Sequence, residues 1–285
     1  MRPKSDWITY IHNLKKRELN IIFSNFSKKI FEEGLELGAG DGFQSTLLTK
    51  FVSHLISTEY NSKRLKKTKT KTIEYRICDA EQLEKYFKKN QFDLIFSSNL
   101  LEHLVNPNKT LISIYDLLRA DGITIHVLPN PFWKIISLWL YIPNNILRFL
   151  NSKTKNNGHK NNQNQNEICL HKEEKKGNKI KRGSGNNPKL VKKRKSSIYR
   201  FLIQEPHGVS SNNIIEIFAF SKFRWNKEFK KANLNLIRVI KGPVSSGYGF
   251  GFERLRKLLE NIGFSTEYIY IAIKEGKKSP YSIYF

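Results

Sequence analysis

An apolar run ending at Leu37 passes directly into GAGDGF, with glycines at 38, 40 and 42, and a helix-like stretch over residues 44–50 follows at once. Glycine adopts positive φ without the steric cost of a Cβ, and it lets a ligand approach backbone amides at the start of a helix. Strand, glycine turn and helix in that order open an α/β unit that holds its ligand at the carboxyl end of the strand. Two details select among ligands. A dinucleotide turn wants a small residue where this chain has Phe43, and Asp41 would oppose a pyrophosphate with like charge. Glu36 and Asp41 instead suit a ligand with positive charge and no phosphate, and S-adenosylmethionine carries both an ammonium and a sulfonium.

Later strand ends repeat the pattern. The run over residues 52–58 ends in Glu59 and Tyr60, which places Glu59 to accept both ribose hydroxyls of an adenosyl group. The run over 73–77 is followed by Cys78, Asp79 and Ala80, with Asp79 able to accept from an adenine amine. Any one of these acids also reads as a helix cap or a solvated side chain. Three of them at the ends of three successive strands favour a ligand.

Apolar runs and helical stretches alternate along the chain, which predicts an α/β fold. Strands are expected at 31–37, 52–58, 73–77, 92–97, 123–128, 234–240 and 266–273, with helices over 7–29 and 252–261. Residues 151–200 break the alternation: Lys, Asn, Gln, Gly and Ser dominate, and 15 Lys and Arg stand against three acids, so +12 of the chain's net +25 lies there. That composition predicts a disordered insertion or long loop. The aromatic stretch 131–150 is interrupted by charges and Pro143 and is too short in its uncharged part to span a bilayer. Two distant cysteines, Cys78 and Cys169, form no disulfide pattern, and the amino terminus has no signal-peptide core, so a cytoplasmic protein is expected.

Taken together, LELGAGDG, the strand-end Glu59, CDAE at 78–81, FDLIFSSNLLEHLVNP at 92–107 and LLRADGITIHVLPNP at 117–131 make the sequence similar to the class I S-adenosylmethionine-dependent methyltransferases, type 11 subgroup. The resemblance implies a Rossmann-like, seven-stranded, mostly parallel sheet with helices on both faces and the last strand antiparallel. It also implies S-adenosylmethionine as cofactor, and no metal is expected; the insertion between strands five and six, residues 130–232, departs from the family's compact pattern, in a region that usually contributes to substrate recognition. It divides the chain into a cofactor-binding half (1–130), an aromatic lid or interfacial helix (131–150), the basic insertion (151–200) and an acceptor-side segment with the last two strands (201–285). On it, Glu36, Gly38, Ala39, Gly40, Asp41, Glu59, Tyr60, Asp79, Ala80, Ser98 and Asn99 are the cofactor-binding candidates.

A hydroxyl acceptor needs a base, and the candidates are His103 and His207. His103 beside Glu102 also reads as a packing residue, and His126 reads as core. A second glycine series, 246–252, has no acid at the end of a following strand and is read as a connection or an aromatic loop beside the acceptor. Expected chemistry is methyl transfer to oxygen of a small molecule, sugar or lipid-linked glycan. The alternatives are an RNA methyltransferase anchored by the basic insertion and a noncatalytic module for anionic surfaces. Peripheral contact with an anionic membrane suits residues 131–150 and the basic stretch after them.

Overall fold

The computed structural model describes residues 4–65, 72–155, 204, 206–207, 210, 212–247 and 253–285. Contacts divide the chain into a unit of residues 2–140 with 204–285, which holds the sheet, and a second of residues 141–203 together with Met1. Most of 151–200, Cys169 and most of the second glycine series lie outside the described residues.

The chain runs α1 (Lys4–Ile22), β1 (Phe31–Leu37), α2 (Phe43–Leu48), β2 (Val52–Glu59), β3 (Ile73–Ile77), a 3-10 turn (Ala80–Lys85), β4 (Phe92–Ser98), a second 3-10 turn (Leu101–His103), α3 (Pro107–Leu117) and β5 (Leu118–Pro129). There follow α4 (Pro131–Lys155), α5 (Asn213–Ala219), α6 (Lys222–Lys231), β6 (Leu234–Lys241), α7 (Glu253–Asn261) and β7 (Glu267–Lys274). The strands form one seven-stranded sheet in the order β3-β2-β1-β4-β5-β7-β6. Pairs among β1 to β5 are parallel, and β7 is antiparallel to both β5 and β6.

Strands buried on both faces read as unbroken apolar runs, and β4 shows why. Leu94 and Phe96 enter a core with Leu19, Ile22 and Phe23 at the end of α1 and the adjoining turn, whereas Phe92 and Ile95 enter the opposite core with Leu111 and Ile114 of α3 and Trp225 and Phe229 of α6. The order of strands reverses between β1 and β4, so a crevice opens beyond their carboxyl ends.

Three elements differ from the sequence expectation. α1 ends at Ile22, because Phe23 and Phe26 turn back to pack on Phe51, with Phe23 stacked on it at 4.3 Å. β5 begins directly after α3, and a register shift opposite Phe92 to Leu94 absorbs the exposed residues 120–121. α4 continues through Pro143, which costs one backbone hydrogen bond without ending the helix. Among the described residues no helix is long and apolar enough to cross a membrane.

Candidate functional site

Backbone geometry makes the first turn. Gly38, Gly40 and Gly42 have φ of 77°, 58° and 80°, values that side chains with a Cβ rarely adopt. A Cβ on Gly38 would also stand 3.2 Å from a Leu100 methyl carbon. The Gly38 and Ala39 amides donate to the Thr58 carbonyl at 2.9 and 2.8 Å, which locks the turn against β2.

Glu59 sits beside it. One carboxylate oxygen accepts the Gly40 amide at 2.9 Å and the other the Asn61 amide at 3.0 Å. An ionised carboxylate offers about four acceptor positions, so capacity remains for two hydroxyls. The exposed Tyr60 follows directly. Glu36 is buried under the turn, where its Oε2 accepts the hydroxyls of Ser45 in α2 and Ser57 in β2. Burial pushes its carboxyl up to about 7, against the pull of those serines. Glu36 thereby ties α2 to both strands.

Asp41 is engaged with α1. His12 Nε2 lies 2.8 Å from Asp41 Oδ2, and the His12 ring stacks on Phe43 at 3.7 Å. Asp79 caps the first 3-10 turn, accepting from the Glu81 amide and the Gln82 side chain at 2.9 and 3.0 Å, with Ala80 opening that turn. Ser98 donates to Glu18 at 2.8 Å and accepts from Lys15 at 2.6 Å, and Asn99 follows with φ of 52°.

His103 and His207, more than one hundred positions apart in the chain, meet edge-on with ring centroids 4.7 Å apart. Trp133 packs on His207 at 4.8 Å, and a Cβ on Gly247 would lie 3.4 Å from the Trp133 ring. The His207 amide donates to Glu216 Oε1 at 2.6 Å, and Glu216 Oε2 pairs with Lys134 at 2.5 Å, both side chains fully buried. Asn130 anchors the start of α4: its side chain donates to the Ser265 carbonyl and accepts the Phe132 amide. His126 lies in the core between the hydroxyls of Ser97 and Thr124, both at 2.7 Å, and burial lowers its pKa to about 3.

Residues of α1 were not among the sequence candidates. Leu14, Glu18 and Ile22 recur every four positions and are all buried; an acid on an apolar stripe is the signal that marks Glu18. His12 and Lys15 have no such signal.

The arrangement fits S-adenosylmethionine: a turn of left-handed glycines, a carboxylate with spare acceptors at the end of β2, an acid after β3 that caps the next turn, and carboxylates without phosphate-binding chemistry around them. Residues 35–126 match the family model described as a methyltransferase domain. No curated protein matches the chain. Among solved structures the chain is similar to a protein of Listeria monocytogenes described as an S-adenosylmethionine-dependent methyltransferase, at 11% identity, 92% of this chain and 99% of that one, with a TM-score of 0.52. It is likewise similar to an S-adenosylmethionine-dependent methyltransferase of Mesorhizobium loti, at 12% identity, 90% and 97% coverage and a TM-score of 0.50. At such identity these two structures speak for the fold, and the matched domain speaks for the chemistry: residues 35–126 form a methyltransferase domain, and the chain is an S-adenosylmethionine-dependent methyltransferase.

Proposed function

We propose that the enzyme methylates a hydroxyl oxygen of a small molecule, sugar or lipid-linked glycan, with His207 as the base and His103 orienting groups above the cofactor. The observation that carries this reading is the contact of His103, His207 and Trp133 at the carboxyl side of β4 and β5. Bound S-adenosylmethionine supplies a methyl carbon on a sulfonium, and the electron pair of the broken C–S bond stays on sulfur. His207 takes the hydroxyl proton as the acceptor oxygen forms its bond to that carbon. Trp133, with Gly247 against its ring, holds the acceptor and keeps water out, which supplies much of the acceleration in an in-line transfer. Label transfer from methyl-labelled cofactor into fractionated extract identifies the acceptor. His207→Gln is then expected to lower turnover about 10²-fold with cofactor affinity little changed. Full activity of the His103→Gln/His207→Gln double variant from about pH 6 to 9 would refute the base, in favour of an acceptor that ionises unaided.

A second observation bears on where the acceptor is met. Phe132, Ile135 and Trp139 recur on one side of α4 and are exposed, Trp139 by 80%. An aromatic stripe on a helix that leads into a strongly basic stretch suits the surface of an anionic membrane.

A further inference from the structure

Two carboxylates near the acceptor side have no part in the reaction described so far. Glu102 immediately precedes His103, and Glu267 opens β7 opposite Pro129 at the exit of β5. They are 4% and 2% exposed, and Oε2 of each has no hydrogen-bond partner among the described residues. The second oxygen of Glu267 accepts from Ser245 at 2.8 Å, and that of Glu102 lies 3.8 Å from His103 Nε2. Lys15 does not answer them, because its ammonium is committed to both oxygens of Glu18, at 3.0 and 3.1 Å, and to Ser98. Among the described residues no Lys or Arg forms an ion pair with either acid. Glu102 lies just past the end of β4 and Glu267 opens β7, two strands away at the same end of the sheet, and burial raises both carboxyls, Glu267 to about 8. A buried carboxyl without donors keeps its proton, and it ionises once a cation binds beside it. β7 stands three strands from β1, roughly 14 Å at the usual spacing, which sets Glu267 on the acceptor side and away from the glycine turn.

We propose that Glu102 and Glu267 receive a protonated amine on the methyl acceptor, which makes the substrate class a hydroxylated amine, such as an amino sugar or amino alcohol. The inference rests on the reading above, in which His103 and His207 face the acceptor hydroxyl. An ammonium offers three donors, one for each acid in a charge-assisted bond that favours the ionised carboxylate, while a phosphate or carboxylate on the substrate offers neither acid a donor.

The test divides a metabolite extract in two. One half is treated with acetic anhydride, which turns amines into neutral amides, and esters formed alongside are removed with mild base. Both halves are incubated with full-length enzyme and methyl-labelled cofactor. Expected are a labelled product retained on a cation exchanger from the untreated half and at least a tenfold loss of label in the acetylated half. With the reactive fraction as substrate, Glu267→Gln and Glu102→Gln should each raise KM about 10- to 100-fold with kcat much less affected; a merely structural role would not distinguish amine from amide. Equal label in both halves, in a neutral product, overturns the amine site and leaves hydroxyl methylation standing. Label on nitrogen supports the amine site and overturns the hydroxyl reading. No label in either half overturns both. The acetylation arm needs no variant and holds even where a substitution prevents folding.

Discussion

Glu59 fixes the Gly40 and Asn61 amides with one carboxylate, and the proposed role of its remaining acceptor positions is to hold the ribose hydroxyls of the cofactor. Glu59→Ala is therefore expected to weaken binding of S-adenosylhomocysteine at least tenfold in titration calorimetry, since each hydrogen bond to a charged group is worth about 1.5 to 3 kcal/mol. Glu59→Gln should fall between, and unchanged affinity of the Ala variant would refute the ribose contact. Titration separates two other buried groups by sign. His126 is neutral in the fold with a pKa near 3, against 6.5 unperturbed; the unfolded chain takes up the proton first, so stability present above pH 6.5 is lost as pH falls. Glu36, raised from 4.5 to about 7 by burial, acts oppositely: the fold holds its proton longer, and stability present below pH 4.5 is lost as pH rises through 7. Each group changes stability by up to about 1.4 kcal/mol per pH unit within its window. Urea unfolding across pH should show loss on both sides, and His126→Gln, which keeps a hydrogen-bonding side chain without titrating, should flatten the acid side; an acid side unaltered by that change would place the titration elsewhere. Glu59 and Asp79 were legible in the sequence because their positions follow from local strand ends. Lys15, which reaches Ser98, and His12, which reaches Asp41, were not, because contacts across 83 and 29 positions leave no local pattern.

Elements bring the two histidines together. α4 supplies Trp133 and Lys134 in consecutive positions, one against the His207 ring and the other against Glu216, whose second oxygen holds the His207 amide. Lys134→Met removes the cation that pairs with Glu216 in the interior, and removing one partner of a buried pair costs about 3 to 5 kcal/mol. In Lys134→Met/Glu216→Gln the Gln carbonyl still accepts the His207 amide and no charge is left buried. Denaturant unfolding should show the single variant strongly destabilised and the double variant largely restored, with turnover restored alongside; a double variant no more stable than the single would mean that the pair does not act as a unit. Nothing in the sequence separated α5 from α6, for their apolar positions serve different neighbours: Glu216 of α5 is buried for its charge, and Trp225 and Phe229 of α6 fill the core. The strands were read nearly to the residue, because burial on both faces makes each a short apolar run, whereas the start of β5 escaped because its first residues are partly exposed and lie across an irregular register.

Charge is distributed unevenly over the whole molecule. Residues 156–200 hold 13 Lys and Arg against three acids, +10 of the chain's +25, while the sheet, the glycine turn and the paired histidines all belong to residues 2–140 and 204–285. Folding and cofactor binding should therefore be separable from attraction to anionic surfaces. Replacing residues 156–200 with a short Gly-Ser linker is expected to leave the melting temperature within about 2 °C and S-adenosylhomocysteine affinity within about twofold, since the seven strands and the candidate site residues all lie outside the replaced segment. The same replacement should abolish sedimentation with phosphatidylserine vesicles, because each Lys or Arg near such a surface contributes about 1 kcal/mol of attraction and the effect is additive over a cluster. For the intact chain, raising salt should weaken vesicle binding as the Debye length shortens. Trp139→Ala in the intact chain isolates the apolar share: if α4 rests on lipid, vesicle affinity drops at constant salt dependence, and if it does not, affinity is unaltered. Vesicle binding that survives the linker replacement would assign the attraction to the sheet-bearing unit, and a collapse of the melting temperature would show that residues 156–200 contribute to the core.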